Sequence, residues 1–110
     1  MAFDEGLAQR VRELLSESSG IVEKKMFGGL AFLIHGHMCC GIVGGELMLR
    51  VGPRQYEEVL SIPYVRQMDF TGRPMKGFVF ISEKGFEETT QLHDWITRGL
   101  KFVHTLPEKA

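Results

Sequence analysis

Long apolar runs, net charge and cysteine are all scarce in this chain of 110 residues. No stretch approaches the ~20 consecutive apolar residues of a membrane-spanning helix, so no membrane role is expected. The first residues, Met1-Ala2-Phe3-Asp4-Glu5, are acidic and lack the apolar core of a secretory signal. Formal net charge is −1, which leaves no long-range field to draw the molecule onto nucleic acid or lipid. Cys39 and Cys40 are the only cysteines and stand side by side. Neighbours on a strand point to opposite faces, so a disulfide between them is not expected, and a reducing cytoplasm is the simplest setting.

What is present has the balance of an ordinary globular chain, 44% hydrophobic and 25% charged. The length suits one domain, residues 1–110, with a core that needs neither disulfide nor structural metal. Phe3, Leu7, Val11, Leu14 and Leu15 recur at helical spacing behind Asp4, a suitable N-cap, with Ser18-Ser19-Gly20 as a stop. Glycine then punctuates the chain every few residues. Lys24 to Phe27, Leu30 to Ile34, Met38 to Val43 and Glu46 to Val51 read as strands, joined at Gly28-Gly29, His35-Gly36-His37 and Gly44-Gly45. Pro53 is expected at the first position of a short helix carrying Tyr56, Val59 and Leu60, which Pro63 stops. Val65 to Met68 and Phe78 to Ile81 are further strands around a loop from Asp69 to Gly77. Phe86, Leu92, Trp95, Ile96, Leu100 and Val103 mark a long last helix. Gly99 lies on that apolar face, which points to close packing against the sheet.

The fold expected is α+β: an antiparallel meander plus a later strand, packed with an N-terminal, a short middle and a long C-terminal helix. Residues 30–34 and 78–81 are apolar without alternation, unlike a sheet with one wet face. Both sheet faces are therefore expected to be covered. A second copy of the chain would cover the spare face; so would the three helices together.

No set of residues converges on a reaction. His35, His37 and Cys39 are residue types zinc accepts, but Gly36 between the histidines reads as a turn. A Cys39 or Cys40 nucleophile helped by His93 or His104 would need a lowered thiol pKa, and both cysteines fall inside an apolar hairpin. Gly28-Gly29 and Gly41 to Gly45 precede no helix and no Gly-Lys-Ser/Thr, so they read as turns rather than phosphate loops. No cofactor, metal or catalytic residue is expected. Residues 24–76 hold seven basic against four acidic side chains, a net +3, leaving −4 for the rest. Arg50, Arg54, Arg73 and Lys76 are the residues from this segment that could hold an anion or a partner.

Met26-Phe27-Gly28-Gly29, the hairpin ending Glu46-Leu47-Met48-Leu49-Arg50, Pro74-Met75 and the Trp95 helix together resemble the N-terminal domain of the TfoX/Sxy competence regulators. The likeness spans roughly residues 20–104. It implies an α+β fold similar to that of the type III secretion chaperones, and bacterial regulation in place of catalysis. The competence regulators act as co-activators beside the cyclic-AMP receptor protein. Their longer members carry a helical C-terminal domain associated with nucleic acid contacts; this sequence stops near residue 110, so a stand-alone module is expected. The leading expectation is a non-catalytic interaction module acting through a protein partner, with transcription machinery among the candidates. The alternative is an anionic-ligand or enzymatic domain with its pocket between sheet and long helix. Direct nucleic acid binding ranks last.

Overall fold

In the computed structural model, which describes residues 3–26, 28–68 and 75–107, Asp4 starts the first helix, α1 (Glu5–Leu15). Its carboxylate accepts the Leu7 N–H at 3.1 Å, the N-cap expected from the sequence and worth ~1 kcal/mol. Leu7, Ala8, Val11 and Leu15 form the buried stripe of this helix.

A meander of four strands follows: β1 (Ile21–Met26), β2 (Gly29–Ile34), β3 (His37–Val43) and β4 (Glu46–Arg50). His35 at φ +50° and Gly36 at φ +86° make the two-residue turn between β2 and β3, the left-handed pair that matches strand twist. After β4 come α2 (Tyr56–Leu60), β5 (Val65–Gln67), β6 (Phe78–Ile81), a single 3-10 turn (Glu83–Gly85) and α3 (Thr89–Val103). The sheet is antiparallel throughout, in the order β1-β2-β3-β4-β6-β5.

Two helix starts differ from the sequence reading. Residues 53–55 form a turn and α2 begins at Tyr56, because Gly52, at φ +85°, donates its N–H to the Gly77 carbonyl and holds the chain out of the helix. Phe86 precedes α3 rather than opening it. Glu88 and Gln91 close a capping box at Thr89, satisfying N–H groups that the first helical turn leaves without partners.

All three helices lie on one face of the sheet. Their buried stripes join Phe32, Ile34, Ile42, Leu47, Leu49, Val79 and Ile81 in one core. Gly99 packs there as expected, since a Cβ on it would fall 2.8 Å from Leu49 Cδ1 and 3.2 Å from Cys39 Sγ. The alternate strand positions turn the other way. Ala31, Met48 and Phe80 meet Met68 in a second apolar cluster, flanked by half-buried Met26, Leu33, Met38, Val43, Met75 and Phe78. Hence the unbroken apolar runs in β2 and β6: each feeds both faces. The expectation that the helices together cover both faces is not met.

Arg12 clamps α1 onto β1 through two bonds to the Glu23 carboxylate, 2.6 and 2.9 Å. The guanidinium holds that carboxyl below the usual carboxylate range. A folded pKa below the unfolded one stabilises above the ordinary range, and that stability is lost as pH falls through the folded value. Both side chains are about one-third exposed, so the contribution stays under ~1 kcal/mol. Arg12→Ala should lower stability by that amount near neutrality, and the difference from wild type should vanish in acid. Urea denaturation at the two pH values measures it.

Candidate functional site

Three of the four cations singled out from the sequence meet at one end of the sheet. Arg50 is the last residue of β4. Its guanidinium lies over the rings of Phe78 in β6 and Phe102 in α3, 5.4 and 5.3 Å from their centroids. Burial draws its pKa down, and among the described residues no carboxylate or hydrogen-bond acceptor meets it. Val51 and Gly52 then donate to the Gly77 carbonyl at 2.8 and 3.1 Å. That pairing brings Lys76 beside the turn carrying Arg54, and both side chains are exposed. Arg73 lies outside the described residues.

The histidines and cysteines separate. His35 sits in the turn, and the His37 Nε2 bonds the Pro107 carbonyl. Cys39 and Cys40 depart from the opposite-face expectation. Phe32 pairs with Cys40 and Leu33 with Met38, so Cys39 is an extra residue in β3. This bulge turns both thiols into the helix-side core. They are free. The Cys39 thiol and burial push the Cys40 thiol well up, the reverse of what a nucleophile needs. Among the described residues no group of three or more His, Cys, Asp or Glu is placed to hold a metal ion.

One feature escaped the sequence reading. A cleft of about 380 Å³ opens between α3 and the Ile62–Tyr64 turn, with Trp95 and Arg98 in its wall. The Trp95 indole N–H is donated to the Gly85 carbonyl at 3.0 Å, and the Arg98 guanidinium lies 5.6 Å over the indole. Tyr64 is 53% exposed and takes φ +71°, a left-handed conformation that costs a bulky residue ~1–2 kcal/mol. Its carbonyl is held by the Ser82 N–H at 2.9 Å. Two further clefts continue along α3: one shares Asp94 and Arg98 with the first, and the next shares Gln55 and Lys101 with that. The only sequence trace was the polar spacing of Asp94, Arg98 and Lys101 on the outer side of α3.

An open six-stranded antiparallel sheet backed on one face by three helices, with a second apolar cluster on its helix-free face, defines a small α+β domain. A family model for the TfoX N-terminal domain matches residues 13–103. The chain belongs to that family. No curated protein and no solved structure matches it. Among the described residues, no helix is long and apolar enough to cross a membrane.

Proposed function

We propose that this domain is a non-catalytic regulatory module of the cytoplasm that works by docking a protein partner on the helix-free face of its sheet. The observation behind this reading is the state of that face. Ala31, Met48, Met68 and Phe80 are covered, but toward β1 the surface opens: Leu33, Met38 and Val43 are half-buried, and Val22 is 56% exposed. Apolar side chains gathered on the helix-free side of a sheet fit an interaction site. Every methionine after Met1 lies on this side, and unbranched thioethers repack readily against a partner. The family supplies the regulatory part of the reading.

Leu33→Glu puts a charge in the middle of the open patch. Affinity capture from native lysate should return a stoichiometric protein with wild type and with Gln9→Glu, on the exposed side of α1, and at least tenfold less with Leu33→Glu at unchanged circular dichroism. Equal capture by all three, or none by wild type, would refute the reading. Light scattering tells a second copy of the chain from a different protein on the same face.

A further inference from the structure

We infer that the outer side of α3 and the facing Ile62–Tyr64 turn form a groove for a short, extended acidic segment of a protein partner, anchored by one apolar or aromatic side chain. This rests on reading the domain as an interaction module, but it concerns a surface separate from the helix-free sheet face.

Three independent observations point to it. The first is the composition of the end at Tyr64. Tyr64, Trp95 and Arg98 converge on one cleft of about 380 Å³, and these residue types carry most of the binding energy at protein interfaces. The volume is at the small end of ligand pockets, which run from about 300 to 1,000 Å³. That space is ample for one large apolar or aromatic side chain. Ile62 and Pro63 complete an apolar wall, and the indole edge of Trp95 reaches the surface at 7% exposure with its N–H already bonded inward.

The second is backbone geometry. Tyr64 sits at φ +71° with its ring half in solvent, so it contributes little burial in return for its strain. Strain kept at an exposed aromatic, held by the Ser82 N–H and packed beside Gly85, is characteristic of a ligand clamp.

The third is charge. From the Tyr64 end the groove runs past Arg98 to Lys101 and Arg54, with Asp94 the one acid among the described residues in its walls. Among the described residues neither Arg54 nor Lys101 has a carboxylate partner. Arg98 donates to the Gln55 side-chain Oε1 at 2.6 Å, a neutral acceptor that leaves its charge available to an anion. Gln91 and Lys101 are ten residues apart on α3, ~15 Å at 1.5 Å per residue. An extended peptide rises ~3.3 Å per residue, so about five residues span the groove. A basic channel leading from an apolar socket fits an acidic peptide with a single greasy anchor.

Trp95 is the only tryptophan in the chain, so its fluorescence reports on this site alone. The probes are acetylated hexapeptides of aspartate and glutamate with one phenylalanine at either end. Controls carry alanine for phenylalanine or lysine for the acids, beside free N-acetylphenylalanine amide and a short duplex DNA. One acidic phenylalanine peptide should give a saturable change in Trp95 emission, at least tenfold tighter than every control. Lys101→Glu with Arg54→Glu should weaken it at least tenfold. Tyr64→Gly should abolish it while leaving Tm unchanged or slightly raised, because glycine relieves the left-handed backbone. Absence of saturation with any peptide, equal binding of the lysine peptide or the DNA, or a response to the free amino-acid amide as strong as to the peptide would each overturn the inference. If the groove stays silent while Leu33→Glu still loses its captured protein, the groove fails and the sheet-face reading stands; the converse separates them the other way.

Discussion

Gly29→Ala should destabilise the domain by at least ~3 kcal/mol, the upper end of what over-packing costs. A Cβ at this position would fall 2.0 Å from the Ile42 carbonyl oxygen. The obstacle is the backbone of β3, so no rotamer change can clear it, and β2 and β3 would have to part where the meander begins. The two neighbouring cases isolate the cause. Gly28 has nothing within 4 Å of its would-be Cβ but adopts φ +73°, so Gly28→Ala should cost only the ~1–2 kcal/mol of left-handed strain. Gly45 has both open space and an ordinary φ, and Gly45→Ala should stay within ~0.5 kcal/mol of wild type. Thermal denaturation ranks the three: in a domain this size Tm falls roughly 4–8 °C for each kcal/mol. A small loss for Gly29→Ala would mean that β2 and β3 are not packed as described.

Phe32→Ala should cost ~3–5 kcal/mol. Phe32 is fully buried on the helix side of β2, opposite Cys40 and within the core that unites all three helices. Truncation leaves a cavity that α1 and α3 cannot both move to fill, since Gly99 already sits against Leu49 and Cys39. Domains are stable by only ~5–15 kcal/mol, so much of the fold's margin would disappear. Met48→Leu, on the opposite face, conserves volume in an adaptable cluster and should cost less than ~1.5 kcal/mol. Chemical denaturation of the pair therefore distinguishes one rigid core and one softer face from two equivalent layers.

The elements were legible wherever a period was long enough to see. Leu7, Val11 and Leu15 marked α1, Leu92, Trp95, Ile96 and Val103 marked α3, and glycine spacing marked the hairpins. The failures depend on how the backbone pairs and caps, which side-chain periodicity does not show. The bulge that carries both thiols to one side arises from a register shift against β2, and nothing within Met38 to Gly41 announces it. The late start of α2 depends on Gly77, 25 residues away, accepting from Gly52. The unbroken apolar strands correctly signalled two greasy faces, but periodicity alone could not say that every helix would choose the same one.

The candidate surfaces were half legible for the same reason. Arg50, Arg54 and Lys76 were picked out as a local excess of charge, and the Gly52–Gly77 contact gathers them at one end. Arg98 and Lys101 belong to a segment whose overall charge is negative, so no charge sum could attach them to Arg54. Tyr64 follows Pro63 and looks like an ordinary turn residue until its φ and exposure are known.

The most direct test of the helix-free sheet face is in-cell photo-cross-linking. A photoreactive residue placed at Leu33, and in a second variant at Gln9 on the exposed side of α1, compares the helix-free side with the helical side. The prediction is a discrete cross-linked protein adduct from position 33 and none from position 9. An adduct from position 9 alone, or none from position 33, would contradict the claim that the helix-free side is the working surface.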